Sequence, residues 1–243
     1  MNLLPENIST FGTQIDSLTT TITYFAVIWF FVAFGTLMSF LILYRRRNGV
    51  KAHYITGNTW KEAKILAFFV FLVVLSDLYI DILNTGVWNH IKTYIPQSEE
   101  VVKINAFQWS WSYTYPGPDG KLNTEDDKEA YELHVPIGKK VVFDLTSRDV
   151  VHSFWVKELR LKQDAVPGRT IKGWFETTKI GKYEIMCAEI CGLNHSMMKG
   201  TLIVDSLDDY RKFTNQLYGI AEQKPASITG TPMENKIKNK EGK

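Results

Sequence analysis

Residues 22–44 (ITYFAVIWFFVAFGTLMSFLILY) carry no charged side chain, and Arg45, Arg46 and Arg47 follow at once. A helix needs about 20 apolar residues to cross the hydrocarbon core of a bilayer, and this run supplies them. A secretory leader would instead show a basic start, a shorter apolar run and a small-residue cleavage site. Residues 1–21 carry Glu6 and Asp16 and neither Lys nor Arg, so the run is predicted to be a retained transmembrane helix.

A second run, residues 65–83 (ILAFFVFLVVLSDLYIDIL), stays apolar through Leu75 and then carries Asp77 and Asp81. After a first span it reads as the return crossing, which gives a transmembrane helical hairpin over residues 22–92. The connection holds Arg45, Arg46, Arg47, Lys51, Lys61 and Lys64 against Glu62. An excess of Lys and Arg marks the cytoplasmic loop. Both ends, including an N-terminal segment of residues 1–21, are then expected on the outer side of the membrane, an oxidising compartment. A carboxylate inside a span is costly unless it meets water or protein. Asp77 therefore has two open accounts, hydration near the outer interface or contact with a helix of a larger membrane complex.

Near Val101 the periodicity changes from helical to alternating. Val102, Ile104 and Ala106 share one parity, whereas Phe107, Trp109, Trp111, Tyr113 and Tyr115 take the other. Such a phase slip within one strand reads as a bulge. Further strands are predicted over residues 130–136, 139–146, 150–156, 171–177, 181–186 and 199–204, separated by Gly and Pro turn signals. Many short strands of this kind predict an antiparallel sandwich within residues 93–222. Ser206 reads as a helix start, with Leu207, Tyr210, Phe213 and Leu217 spaced for one buried face. Residues 223–243 have almost nothing to bury and are expected to form a disordered basic tail. A net charge of +2 implies no bulk affinity for nucleic acid.

The chain has 2 cysteines, and both fall in MCAEICGLNHSMM, residues 186–198. Three chemistries compete for them. A disulfide between Cys187 and Cys191 suits an oxidising compartment but explains nothing else in the stretch. Structural zinc prefers four Cys or His ligands and leaves the methionines without a role. Copper accepts thiolate, imidazole and a weak thioether together. That reading uses His195 and Met198 and needs a second imidazole from a distant strand, for which His152 is the best candidate. Adjacent residues on an extended chain point opposite ways, so only one of Met197 and Met198 is expected to reach a metal.

The pattern Cys-x-Glu-x-Cys-Gly-x-x-His-x-x-Met, with His-Ser-Phe upstream, resembles the binuclear copper (CuA) site of cytochrome c oxidase subunit II. Residues 161–169 (LKQDAVPGR) and 108–113 (QWSWSY) resemble two further signatures of that family, in the same order. With the helical hairpin, the resemblance covers about residues 24–218. It implies a two-helix transmembrane hairpin followed by an all-β cupredoxin-like Greek-key sandwich, lying on the periplasmic or equivalent side of a respiratory membrane. It also implies two coppers bridged by Cys187 and Cys191, with His152 and His195 as terminal ligands. Met198 would be a weak ligand to one copper and the backbone carbonyl of Glu189 a ligand to the other. The Glu189 carboxylate would reach a magnesium ion shared with subunit I. Trp109 would receive electrons from cytochrome c, and Asp164 and Arg169 would lie near subunit I. The chain would pass electrons to the haem of subunit I, supporting reduction of oxygen to water and proton translocation, with no oxygen-reducing site of its own.

Two features stand apart from that pattern. Residues 116–132 form a longer, acidic loop, with Asp119, Glu125, Asp126, Asp127, Glu129 and Glu132 against Lys121 and Lys128. A solvated hairpin loop is one account of it, and attraction of a basic cytochrome c is another. Its acidic elements hint at calcium without fitting the EF-hand spacing. Glu62, at the cytoplasmic start of the second span, is a candidate for the mouth of a proton path into subunit I. The alternatives for the whole chain are the CuA subunit of a nitric oxide reductase, a quinol-oxidising relative lacking the copper ligands, and a copper delivery or storage protein.

Overall fold

The computed structural model describes residues 4–51, 56–98 and 100–220; the tail expected over residues 223–243 lies outside them. Helices α1 (Gly12–Leu43) and α2 (Trp60–Trp88) are both long and apolar enough to cross a membrane. Their side chains are apolar all round and unburied: Phe30, Phe31, Leu41 and Ile42 on α1, and Ile65, Leu66, Phe68 and Ile82 on α2, are more than half exposed. Such a surface is stable in hydrocarbon or against other helices, not in water. The chain is built as a membrane protein with two spans. The helices meet where Trp29 donates its Nε1–H to Ser76 Oγ at 3.3 Å, and the Ser76 hydroxyl donates to Val73 O at 2.7 Å. Asp77, the next residue, is exposed.

A single π-helical turn, Asn89–Thr93, carries α2 into the β-domain and buries Ile91 there. The strands are β1 (Glu100–Phe107), β2 (Ser110–Tyr115), β3 (Lys128–Ala130), β4 (Leu133–Pro136) and β5 (Lys140–Ser147). They continue with β6 (His152–Val156), β7 (Leu161–Ala165), β8 (Ile171–Glu176), β9 (Gly181–Cys187) and β10 (Lys199–Asp205), and helix α3 (Leu207–Tyr218) follows. One sheet runs β3-β2-β1-β5-β8 and the other β4-β10-β9-β6-β7. Phe143 on β5 meets Phe154 on β6 across the sandwich, with ring centroids 6.2 Å apart, and Phe154 also takes the edge of Trp111 at 5.6 Å. The Phe143 ring lies over Gly173 of β8, where a Cβ would come within 2.3 Å of it. The fold is an all-β cupredoxin-like sandwich behind a helical hairpin.

Four details differ from the sequence expectation. The sandwich is mixed rather than antiparallel, because β1 pairs β5 and β4 pairs β10 in parallel. The phase slip after Ala106 is a two-residue hairpin turn at Gln108 and Trp109, not a bulge. Phe107 pairs Ser110 across the turn, so Ile104 faces Tyr113 and Ala106 faces Trp111. Cross-strand partners share a face, which puts even-numbered residues of β1 and odd-numbered residues of β2 in the same core. Residues 130–136 are two strands in different sheets, broken at Tyr131 and Glu132. Leu207 sits at the margin of the apolar stripe of α3 and is 51% exposed, while Phe213 and Leu217 pack on the core. There Phe213 stacks on the His134 ring at 3.9 Å and takes Tyr115 edge-on at 5.4 Å.

Candidate metal centre

Strands β9 and β10 form an antiparallel pair with Met186 opposite Lys199. The cysteine stretch is therefore the loop of a β-hairpin, closed at its base where Cys187 N–H donates to Met198 O at 3.2 Å. Strand β6 lies on the other side of β9, with Phe154 opposite Cys187. The His152 side chain, two residues before Phe154, shares its face of the strand. Register alone thus carries an imidazole from far upstream to the thiols.

The donors converge. Cys187 Sγ lies 3.8 Å from Cys191 Sγ and 3.9 Å from His152 Nδ1. Cys191 Sγ lies 3.5 Å from His195 Nδ1 and 3.8 Å from Met198 Sδ, and the Glu189 carbonyl oxygen is 3.2 Å from Cys187 Sγ. One donor atom from each of His152, Cys187 and Cys191 fits within a 4.8 Å span. His152, Cys191 and Met198 are buried, whereas Met197 is 73% exposed. Both thiols are free, and a disulfide needs sulfurs about 2.05 Å apart.

This donor set fits copper. Two unbonded sulfurs face each other, an imidazole nitrogen stands at each outer flank, and a thioether closes one side in a largely water-free pocket. Burial, and then the neighbouring Cys187 thiol, push the Cys191 thiol up to about 11. Without a metal it stays protonated at neutral pH, and a bound metal would displace that proton.

Support for the donors comes from groups the sequence did not identify. His152 Nε2 contacts Asp149 Oδ1 at 2.8 Å, which leaves Nδ1 toward the sulfur. The Asp149 carboxylate also accepts the backbone N–H of Gln108 and of Val150, each at 2.6 Å. Burial pushes the Asp149 carboxyl up, but those two N–H groups and the His152 ring outweigh it and hold it below the usual carboxylate range. Gln108 reaches the loop as well, donating Nε2–H to Cys191 O at 2.8 Å. Trp109, half-buried at the hairpin tip, lies against Gly192, where a Cβ would sit 2.9 Å from Gln108 Nε2 and 3.4 Å from the indole. Gly192 also has φ +116, so conformation and space both call for glycine there.

The other sequence candidates lie apart from this cluster. The Glu189 side chain is exposed on the loop surface. Asp164, on edge strand β7, and Arg169, in the loop after it, are exposed. Glu62 occupies the first turn of α2, where its carboxylate accepts from Thr56 Oγ1 at 3.3 Å. Roughly 40 Å of helix separates it from the β-domain end of α2.

A free-thiol hairpin loop beside a histidine-bearing strand, on a cupredoxin-like sandwich, defines a class of domain whose Cys, His and Met donors suit a soft metal. Comparison narrows the class. Residues 119–206 match the family model described as cytochrome c oxidase subunit II, periplasmic domain. Cytochrome c oxidase subunit 2 of Thermostichus vulcanus is 29% identical, across 90% of this chain and 80% of the relative. That of Cereibacter sphaeroides is 27% identical, across 85% and 77%. An alternative cytochrome c oxidase subunit 2 of Bradyrhizobium diazoefficiens is 35% identical, across 54% of this chain and 55% of the relative. The crystal structure of the periplasmic domain of a Bradyrhizobium japonicum cytochrome oxidase subunit II matches 52% of this chain and 98% of its own, at 28% identity and a TM-score of 0.46. The chain is thus similar to cytochrome c oxidase subunit 2 across both the helices and the β-domain, and those relatives are subunits of an oxidoreductase complex.

Proposed function

We propose that this chain is the electron-accepting subunit of a terminal haem–copper oxidase, taking electrons from cytochrome c into a binuclear copper centre and delivering them to the haem of subunit I. The observation that carries the reading is the convergence of two free, facing thiols with His152, His195, Met198 and the Glu189 carbonyl, with His152, the thiols and Met198 buried and His195 at the rim. Cys187, Cys191, His152 and His195 would hold the metals, with Met198 and the Glu189 carbonyl as weaker ligands. Bound there, the copper pair supplies a one-electron redox couple with its charge spread over two metals.

The chain's own residues keep that couple fast and contained. Strand pairing sets His152 on β6 beside Cys187 on β9, and the loop that carries Cys191, His195 and Met198 is closed at its base by the Cys187 N–H to Met198 O bond, so the donors are held in place. Asp149 holds the His152 ring in one orientation, and Trp111 and Phe154 pack beside it and exclude water. Trp109 would be the point at which electrons enter, since its indole abuts Gly192, the residue after Cys191. The Glu189 carboxylate offers one ligand toward a magnesium ion whose remaining ligands would come from a partner subunit. The β-domain would lie on the outer, periplasmic or equivalent, side, with subunit I beside the spans and the LKQDAVPGR edge. The acidic loop of residues 116–132 would attract a basic cytochrome c. A copper delivery protein would release its metal easily, and the buried donors and tethered His152 ring argue against that.

The test uses the assembled oxidase. Trp109→Phe should leave copper content unchanged and slow reduction by cytochrome c by about tenfold or more, and unaltered kinetics would remove Trp109 from the path. Glu62→Gln should lower turnover if Glu62 feeds a proton path, and full turnover would eliminate that role.

A further inference from the structure

Helix α2 carries two carboxylates at the depth of the hydrocarbon. At a rise of about 1.5 Å per residue, Asp77 stands about 20 Å from Lys64 and about 16 Å from Trp88 along the helix. Trp29, which meets Ser76 from the facing helix, is likewise about 24 Å from Arg45 and about 20 Å from Asp16. A hydrocarbon core of about 30 Å laid between those ends holds Asp77 near its middle and Asp81 one turn nearer the β-domain. Ser76, Ile80 and Val87 turn toward α1, with Ser76 buried against Trp29 and the other two half-buried. Val70, Val74, Asp77, Asp81, Asn84 and Trp88 recur at spacings of three and four, so they share a different strip, and all of them are exposed. Among the described residues neither carboxylate has a hydrogen-bonding or ion-pair partner.

A carboxyl in hydrocarbon is costly in either state. Ionised, it lacks a counter-charge, and neutral, it leaves polar oxygens unpaired. Whatever covers this strip has to bring a cation to the same depth. A lipid headgroup keeps its charge at the bilayer surface, on the order of 15 Å from Asp77. A second copy of this chain, packed strip to strip, would set carboxylate against carboxylate. A transmembrane helix with Arg or Lys among its apolar residues supplies the cation, and such a helix has the reciprocal need for a counter-ion. Val70 and Val74 continue the strip as an apolar surface against which that helix can pack.

We propose that the strip through Asp77 and Asp81 is the face on which a partner subunit docks a transmembrane helix, and that this helix carries an Arg or Lys that pairs with the two carboxylates inside the membrane. The docking face rests on the reading of the chain as one subunit of an oxidase complex, and it names the chemistry of one contact within that complex. Beyond attraction, the pair sets the rotation and register of α2 against its neighbour. A slip by one turn would leave a charge in hydrocarbon without its partner.

The test uses the assembled complex, isolated in mild detergent by an affinity tag on this chain. A double variant, Asp77→Leu with Asp81→Leu, should retain at least about tenfold less of the partner subunits than the parent. Asp77→Glu with Asp81→Glu keeps both charges and should retain them. Leucine makes the span more apolar and favours insertion, so a loss in the first variant is a loss of docking. A benzophenone side chain at position 84 should cross-link, on illumination, to a span of one partner subunit within about one helical turn of an Arg or Lys. The same probe at position 82, on the far side of α2, should give at least about fivefold less of that product. Undiminished retention in the leucine variant overturns the proposal, as does a position-84 product formed only with lipid or with a second copy of this chain. Neither readout uses copper or cytochrome c, so the docking face and the respiratory assignment fail separately.

Discussion

His152 is oriented by a carboxylate three residues before it, and the same carboxylate ties down the Gln108–Trp109 turn. Asp149 therefore acts on the ligand ring and on the nearby indole at once. Asp149→Asn would withdraw the charge that three donors share, and partners of this kind change metal affinity by about 10- to 100-fold. Competition against a copper chelator should show a loss in that range, and an unchanged affinity would deny Asp149 its positioning role. A pH dependence follows from its depressed carboxyl. A group with a lowered folded-state pKa stabilises fully above its unfolded value, and that contribution is lost as pH falls through the folded value. Without metal, the asparagine variant should melt below the parent at pH 7, and the gap should narrow below about pH 4. A gap that does not change with pH would assign the effect to packing.

Helix α3 is held by its cap as well as by its aromatic stripe. Ser206 Oγ accepts the backbone N–H of Asp209 at 3.1 Å, and Gly219 ends the helix in the left-handed region at φ +66. Ser206→Ala should cost about 1 kcal/mol of stability in thermal unfolding, and a cost near zero would show that the stacking of Phe213 on His134 suffices. The element level also shows what the sequence could and could not convey. The apolar runs, the Gly and Pro turns and the alternation of residues 139–146, 171–177, 181–186 and 199–204 are local signals, and each yields a strand or helix close to where it was expected. The clustered Cys, His and Met residues mark the metal loop because they lie within one hairpin. Features made by distant pairing left no such trace. Strand β7 is short, with Lys162 and Asp164 on its outward positions, so its alternation reads as charge. The parallel pairing of β1 with β5 depends on crossovers that no local pattern encodes. Asp149 looks like an ordinary turn residue until His152 Nε2 is seen against it, and Ile8 and Phe11 belong to a core assembled about 150 residues later in the chain.

At the scale of the molecule, the hairpin and the sandwich are one construction. Buried Ile8 and Phe11 ahead of α1, the Arg160–Asp16 pair and the π-turn that buries Ile91 all bind the β-domain to the ends of its helices. A fragment beginning at Val101 would lack Ile8 and Phe11, so the metal centre is best examined in the full chain in detergent or membranes. Cys187 and Cys191 are proposed to hold two metals between them, and the direct measurement is copper content together with the electron paramagnetic resonance spectrum of the oxidised full chain after copper loading. Two coppers per chain sharing one unpaired electron are expected. A single copper with a mononuclear spectrum, or a Cys187–Cys191 disulfide that excludes copper, would rule the paired site out.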